Sequence, residues 1–279
     1  MSPTYDLMRP AVWRGGLIVS SPHSGREYPR HFRDRARLRE AQLRSSEDAF
    51  VDRPIAPALE VGAVTLSARI ARAVVDLNRA REDLDPLVVE GAPAPPAGNV
   101  RTLAGLGVIP RVVGHGRPIF ERPIPRDEAE RLLDTVWQPY HDALAGLIEE
   151  AVARFGQAVL IDVHSMPHEA LAHITPRPQA VLGDRHGRSA GSWLRMRLRE
   201  ALEREGLVVR MNAPFAGAHI AQAYGKPGAG RHVMQLELDR SLYMDEARLE
   251  PHHGFEPLAE RLRRVFAAVQ GDPEALAAE

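Results

Sequence analysis

The stretch Ala158–Pro167, AVLIDVHSMP, constrains the fold more than any other part of the chain. Its first half is mostly small or β-branched and apolar, which is typical of a buried central strand. Because side chains alternate along a strand, Asp162 and His164 are expected on one face. A buried carboxylate and imidazole are costly unless they pair or bind something, and ligands of open α/β sheets bind at this end of a strand. We predict that His164 binds a metal and that Asp162 orients a neighbouring imidazole; the alternative is a histidine hydrogen-bonded within the core.

A second histidine follows a second apolar run. Residues 17–21, LIVSS, predict a buried strand that stops at Pro22, and His23 opens the polar turn HSGREYP. Two histidines that each follow the end of a predicted strand are harder to explain as structural histidines than a single one would be. The pair therefore favours a shared metal site.

The composition narrows the classes of function and of ligand. With 279 residues, 44% of them hydrophobic, the chain can build one sizeable core. Its net charge of -1 disfavours nucleic acid and anionic membranes as partners. Without cysteine, a metal must be held by His, Asp or Glu. No secretory signal pattern and no run of transmembrane length is visible, so a soluble cytoplasmic protein is expected.

Strand and helix patterns alternate along the rest of the chain. Further strands are predicted at 61–66, 73–77, 180–182, 207–211 and 232–238, and helices at 33–44, 126–137, 139–155, 189–205 and 255–269. Residues 91–120, rich in Gly and Pro, predict an irregular loop that covers the site. The alternation predicts a three-layer α/β/α fold with a mostly parallel or mixed central sheet, in one domain over residues 1–279.

Six short motifs together resemble the N-formylglutamate amidohydrolases, a family similar in fold and site to zinc carboxypeptidases and aspartoacylases. In chain order they are SPHSGREYP (21–29), DAFVD (48–52), DLNR (76–79), DVHSMP (162–167), NAPFAG (212–217) and QLELDRSLYMDE (235–246). The resemblance covers most of the chain. It implies a carboxypeptidase-like fold and a zinc hydrolase that cleaves N-formyl-L-glutamate to formate and L-glutamate, a step in one route of histidine degradation.

The resemblance also implies a set of metal ligands. A catalytic zinc needs three protein ligands and one open position, and His23 and His164 supply two of them. The third should be a carboxylate. We favour Asp48, whose alternative role is a helix cap, and retain Glu27 as the alternative ligand. The expected cofactor is zinc or another divalent metal.

Glu237 is the candidate general base. Asp162 is the second candidate catalytic residue. The family resemblance places Glu237 on a strand, from which it would take a proton from water and pass it to the leaving nitrogen. The alternative is a buried glutamate paired with an arginine.

Asn78 and Arg79 are the expected substrate-binding residues, because a guanidinium holds a carboxylate with two parallel hydrogen bonds. N-formylglutamate has two carboxylates, so a second cation is needed. Arg72 is the preferred candidate and Arg231 the next. Asp76 is expected to orient Arg79 or a zinc-bound histidine.

Other readings of the same motifs change the substrate or the class of protein. A carboxypeptidase, or a deacylase of another N-acyl amino acid, would keep the chemistry. A non-catalytic anion-binding protein is disfavoured by the near-zero net charge. Two stretches depart from the family pattern. Residues 215–219 read FAGAH where paired glycines are expected, with His219 as a bulky addition, and residues 91–120 match little of the pattern. His141, inside a helix, is interpreted as structural.

Overall fold

The computed structural model describes residues 3–270. The strands are β1 (Tyr5–Met8), β2 (Leu17–Ser21), β3 (Val64–Ala68), β4 (Val112–Val113), β5 (Arg117–Pro118), β6 (Ala158–Met166), β7 (Ala180–Gly183), β8 (Val209–Met211), β9 (Arg231–Asp239), β10 (Met244–Asp245) and β11 (Glu250–Pro251). The α-helices are α1 (Arg30–Arg35), α2 (Glu40–Leu43), α3 (Val100–Leu103), α4 (Arg126–Leu132), α5 (Gln138–Phe155), α6 (Ser192–Arg204), α7 (His219–Tyr224) and α8 (Phe255–Gln270). Short 3₁₀ turns occupy Arg44–Ser46, Ala56–Leu59, Gly114–Gly116, His168–Leu171, Pro227–Ala229 and Arg240–Leu242, and a π-helical turn, Leu133–Trp137, joins α4 to α5.

A seven-stranded sheet in the order β1-β3-β2-β6-β9-β7-β8 forms the centre of the fold. Strand β6 runs parallel to both β2 and β9, whereas β7 runs antiparallel to β9 and parallel to β8. The predicted α/β class with a mixed central sheet is therefore confirmed. The parallel arrangement brings the carboxyl ends of β2, β6 and β9 to the same edge, where ligands of open sheets bind.

The central strands are covered on both faces. Every residue of β2, β3, β6 and β7 is buried, and so are all residues of β9 except the first. This explains why the apolar runs of these strands lack the alternation of a half-exposed strand. Helices α6 and α8 pack against each other, and α8 buries Leu262 and Phe266 in its apolar face. Within residues 3–270, no helix is both long and apolar enough to span a bilayer.

Two compact units can be recognised among the described residues. One consists of residues 3–6, 22–49 and 67–144, and contains helices α1 to α4. The other consists of residues 7–21, 50–66 and 145–270, and contains β2, β6 to β9 and α6 to α8. Neither unit is a single continuous stretch of sequence. The prediction of one domain over 1–279 stays a prediction.

The strand predicted at 73–77 is wrong. These residues are buried, but the chain turns there: the N–H of Val74 bonds the carbonyl of Ala71, and the N–H of Asp76 bonds the carbonyl of Val108. The Asp76 carboxylate also accepts the N–H of Asn78, which closes a local turn. A short apolar run reports burial but does not separate a strand from a buried turn.

The helix predicted at 33–44 is also wrong as one element, because α1 and α2 are separate. Between them, Ala36 is extended and pairs with Phe120, and the N–H of Arg37 bonds the carbonyl of Ile119. This long-range pairing competes with continuation of the helix.

The remaining predictions need smaller changes. The expected restart of the helix at Pro139 is replaced by the π-helical turn, and the strand expected at 61–66 lies at Val64–Ala68. Residues 91–120 contain α3 and the short pair β4 and β5. The strand at 17–21 is confirmed as β2. The other predicted strands and helices are confirmed, with ends that shift by a few residues.

Candidate metal centre and active site

Adjacent strands β6 and β9 place four polar side chains on one face of the sheet. Asp162 is aligned with Gln235, and His164 is aligned with Glu237. Residues two apart on a strand share a face, and aligned residues on neighbouring strands point the same way. All four side chains are buried. Because buried polar groups must be paired, this face requires an organised network or a ligand.

Asp162 is fixed between Ser20 and His164. The Ser20 hydroxyl donates to Asp162 Oδ1 at 2.6 Å, and His164 Nε2 lies 2.9 Å from Asp162 Oδ2. The imidazole that Asp162 orients is thus that of His164 itself. With its hydrogen on Nε2, the ring presents Nδ1 as the electron-pair donor, which is the arrangement found in carboxylate–histidine–metal sites.

His23 is held in the same way after the end of β2. Its Nε2 lies 2.7 Å from Asp76 Oδ1, and its Nδ1 lies 3.4 Å from Asp48 Oδ2. The N–H of Asp48 donates to the carbonyl of His23 at 3.0 Å, which ties the two chain segments together. Each histidine therefore has a carboxylate at Nε2.

Asp76 carries several charged and polar contacts. Arg72 Nη2 donates to Asp76 Oδ2 at 2.7 Å, while the N–H of Asn78 and the imidazole of His23 meet Oδ1. Burial alone would raise the pKa of Asp76. The charge of Arg72, the interaction with His23 and the charge of Arg79 outweigh burial and hold that pKa well below its ordinary value. Asp76 is therefore an ionised carboxylate that orients His23.

His23, Asp48 and His164 form a group that could hold a metal ion. One ligand atom from each lies within 4.8 Å of the others, and the three residues are 3%, 1% and 3% exposed. Two imidazole nitrogens and one carboxylate oxygen are ligands that zinc takes in hydrolases, with one position left for water or substrate. The donor set present thus fits the metal predicted from the sequence.

Glu27, the alternative third ligand, lies elsewhere. Its carboxylate accepts two hydrogen bonds from Arg69, at 2.9 and 2.7 Å, and its side chain is 46% exposed. Within residues 3–270 the candidate group contains Asp48 and not Glu27. The geometry favours Asp48 as the third ligand.

Gln235 is a site residue that the sequence analysis missed. Its Oε1 accepts the N–H of Ala218 at 3.0 Å, and its Nε2 donates to Glu237 Oε1 at 2.7 Å. The backbone donor fixes which end of the amide faces Glu237. The available signal was its position two residues before Glu237 on the same strand, which places both side chains on one face.

The predicted substrate-binding arginines make contacts within the protein. Arg79 is buried; its Nε donates to the carbonyl of Leu106 at 2.9 Å and its Nη1 to that of Asn78 at 3.0 Å. Arg72 is bonded to Asp76, as described above. Arg231 begins β9, at the opposite end of that strand from Glu237, so it is not placed with the general base.

A further histidine, His141, has structural surroundings. His141 Nε2 lies 2.9 Å from the carbonyl of Leu77, and its ring stacks on Trp137 with centroids 3.8 Å apart. This agrees with its interpretation as a structural histidine. His219 is the first residue of α7.

Comparison with known proteins places the chain in one family. The sequence model of the N-formylglutamate amidohydrolase family matches residues 15–244. N-formylglutamate deformylases of Pseudomonas aeruginosa and Pseudomonas putida are 33% and 32% identical to this chain, over 90% of its length and 89% of theirs. The crystal structure of an N-formylglutamate amidohydrolase from Ralstonia eutropha superposes with a TM-score of 0.90 at 33% identity, covering 97% of this chain and 98% of that one. The chain belongs to the N-formylglutamate amidohydrolase family.

Proposed function

We propose that this chain is a metal-dependent amidohydrolase that cleaves N-formyl-L-glutamate to formate and L-glutamate. The observation that carries the proposal is the buried group of His23, Asp48 and His164, with Glu237 aligned to His164 on the next strand. The family match and the names of the Pseudomonas relatives support the substrate. We further propose that the protein acts in the cytoplasm, in one route of histidine degradation.

The proposed metal is zinc or another divalent ion, held by His23, Asp48 and His164. The metal would supply a Lewis acid for the formyl oxygen and would acidify a water molecule. Asp76 and Asp162 keep the two imidazoles in the tautomer that a metal requires. Their carboxylates also raise the electron density of the rings.

Glu237 is the proposed general base and then general acid. Its carboxylate takes a proton from the attacking water as the oxygen–carbon bond forms. It then returns that proton to the amide nitrogen as the carbon–nitrogen bond breaks, which releases glutamate. Gln235 donates to Oε1 of this carboxylate and thereby sets its orientation.

Asn78, Arg79 and Arg72 remain the proposed binders of a substrate carboxylate. A guanidinium carries five N–H donors, so an arginine that donates to backbone carbonyls can still meet a carboxylate with its other hydrogens. The contacts to Leu106 and Asn78 hold Arg79 in one orientation, which lowers the entropy lost on binding.

Formate release from N-formyl-L-glutamate by chelator-stripped protein, with and without added zinc, tests the proposal. We expect turnover only with the metal. A variant Asp48→Asn should lose the bound metal and the activity, whereas the matched variant Glu27→Gln should keep both. If Glu27→Gln loses the metal and Asp48→Asn does not, the ligand set is wrong.

The same assay on a panel of substrates tests the acyl group. The panel consists of N-formylglutamate, N-acetylglutamate and a dipeptide that ends in glutamate. A higher kcat/KM for the formyl compound supports the proposal. A preference for the acetyl compound or the dipeptide would overturn the substrate and leave the metal centre in place.

A further inference from the structure

A second polar cluster continues along β9 beyond Glu237. Asp239 lies two residues further on the same face, and its Oδ2 is 2.8 Å from His168 Nδ1. On the far side of the same imidazole, Arg177 Nη1 makes a short contact with His168 Nε2. The order Asp239, His168, Arg177 leads from a buried carboxylate to an exposed guanidinium.

Hydrogen-bond directions in this cluster follow from the chemistry of arginine. A guanidinium can only donate, so His168 Nε2 must accept and His168 Nδ1 must carry the hydrogen that Asp239 accepts. Within residues 3–270, no carboxylate lies within 4.0 Å of the guanidinium nitrogens of Arg177. The guanidinium is thus positioned by the imidazole of His168 and keeps donors for a carboxylate ligand.

The acidic groups near the cluster are engaged by the protein. Asp239 Oδ1 accepts the N–H of Ser241 at 2.9 Å. Glu246 accepts the N–H of His168 at 2.8 Å and lies 3.7 Å from Arg240 Nη1. The carboxylates of Asp239 and Glu246 are therefore engaged by other protein groups. The exposed side of the His168 ring contacts Arg177.

The cluster is anchored on β9 two residues beyond Glu237. Two residues along a strand span about 7 Å. In N-formylglutamate the formyl carbon and the side-chain carboxyl carbon are about 6 Å apart when extended, by standard bond lengths. The chain before β7 runs beside Asp239, because the N–H of Asp239 bonds the carbonyl of Gln179 at 2.9 Å. Arg177 lies two residues before Gln179 and is therefore carried by a segment attached beside Asp239.

We propose that Arg177, positioned by His168 and Asp239, binds the side-chain carboxylate of the substrate and so determines the preference for an acidic N-formyl amino acid. The inference rests on the proposed deformylase function and adds the residue that selects the side chain. Arg177 is the specificity-determining residue, and His168 and Asp239 are positioning residues.

The test compares kcat/KM for N-formyl-L-glutamate and N-formyl-L-glutamine, which differ only in the side-chain charge, in the metal-loaded enzyme. Arg177→Gln should lower kcat/KM for N-formylglutamate by about 10–100-fold, the loss of hydrogen bonds to a charged group. The value for N-formylglutamine should change less than about 3-fold, because a neutral amide forms the weaker bonds. The matched variant Arg199→Gln, on the exposed face of α6, should leave both values unchanged.

A second variant tests positioning. His168→Ala should raise KM for N-formylglutamate and leave kcat near that of the wild type. The double variant with Arg177→Gln should be no worse than Arg177→Gln alone, since both act through one contact. Additive losses would overturn the positioning role.

The outcomes separate the two proposals. If the wild type releases formate from N-formylglutamate but Arg177→Gln lowers both substrates equally, or neither, the assignment of Arg177 is wrong and the deformylase function stands. If the wild type releases no formate from N-formylglutamate, the proposed function is wrong before any variant is measured, and the assignment of Arg177 is wrong with it.

Discussion

At the scale of single residues, one chemical device occurs twice. His23 and His164 each present Nε2 to a buried aspartate, Asp76 and Asp162 respectively. A neutral imidazole has one donor and one acceptor nitrogen, so fixing the hydrogen on Nε2 determines what Nδ1 can do. The carboxylates thus set both the orientation and the tautomer of the two rings.

Asp76→Asn tests this device by its effect on stability. Removing one partner of a buried ion pair leaves Arg72 and His23 without their carboxylate, and we expect a loss of about 3 kcal/mol in the free energy of unfolding. Urea unfolding at pH 7 measures it. The surface variant Asp127→Asn, which loses an exposed pair with Arg131, should leave the free energy of unfolding almost unchanged.

The same variant should show a defined pH dependence. The pKa of Asp76 lies below its ordinary value of 3.8 in the folded chain, so its contribution is complete above that value and is lost as the pH falls through the folded pKa. The stability difference between wild type and Asp76→Asn should therefore be constant from pH 7 to 5 and shrink below about pH 4. A difference that grows on acidification would contradict an ionised Asp76.

Glu237→Gln tests the general base. The amide keeps the size of the side chain but cannot accept a proton, so kcat should fall by about 10²–10⁴-fold. Metal content, measured by elemental analysis, should equal that of the wild type, because Glu237 is outside the ligand group of His23, Asp48 and His164. Glu250→Gln, an exposed glutamate in β11, serves as the control. Retained activity in Glu237→Gln would assign the proton transfer to another group.

At the scale of elements, the turn that follows β2 packs closely against another part of the chain. Gly25 follows His23 closely and lies against the chain at 69–70, where the carbonyl of Arg69 accepts the N–H groups of Arg26 and Glu27. A Cβ at Gly25 would lie 2.2 Å from the carbonyl oxygen of Ile70. Only glycine permits this approach of two backbones.

Gly25→Ala should therefore destabilise the protein by about 1–3 kcal/mol and lower metal affinity, because backbone atoms must move to admit the methyl group. Gly98→Ala is the matched control: no atom lies within 4 Å of its added Cβ among the described residues. Thermal unfolding and a zinc titration measure the two effects. Equal behaviour of the two variants would show that the turn adjusts without cost.

At the scale of the whole molecule, metal binding and folding should be linked. A ligand that binds only the folded state stabilises it, by about 2.7 kcal/mol at a hundred times its Kd. For a protein of this size that corresponds to a rise in Tm of about 5 °C. Adding zinc to chelator-stripped protein should produce this rise. In His164→Ala the rise should disappear, whereas His253→Ala, an exposed histidine, should keep it. An equal rise in all three would place the stabilising zinc elsewhere.

The sequence predicted most of the central elements, because their patterns are local. β2 was predicted with its exact span of LIVSS, and the run that forms β6 was recognised from its β-branched apolar residues. The same reasoning failed at 73–77, where an equally apolar run is buried in a turn and not in the sheet. It also failed at Ala36, where pairing with Phe120 interrupts a helical pattern. Both failures come from contacts between residues that are distant in the chain.

The sequence by itself determined the α/β class and the two strand-end histidines, because burial and periodicity leave a local record in residue types. The candidate carboxylates came from the family resemblance of its motifs. Only the tertiary structure decided which carboxylate meets His23, Asp48 or Glu27, and that Gln235 faces Glu237. It alone brought Arg177, His168 and Asp239 together. The physical reason is that such meetings depend on strand register and on the paths of loops, which are fixed by the packing of the entire chain and not by any one segment.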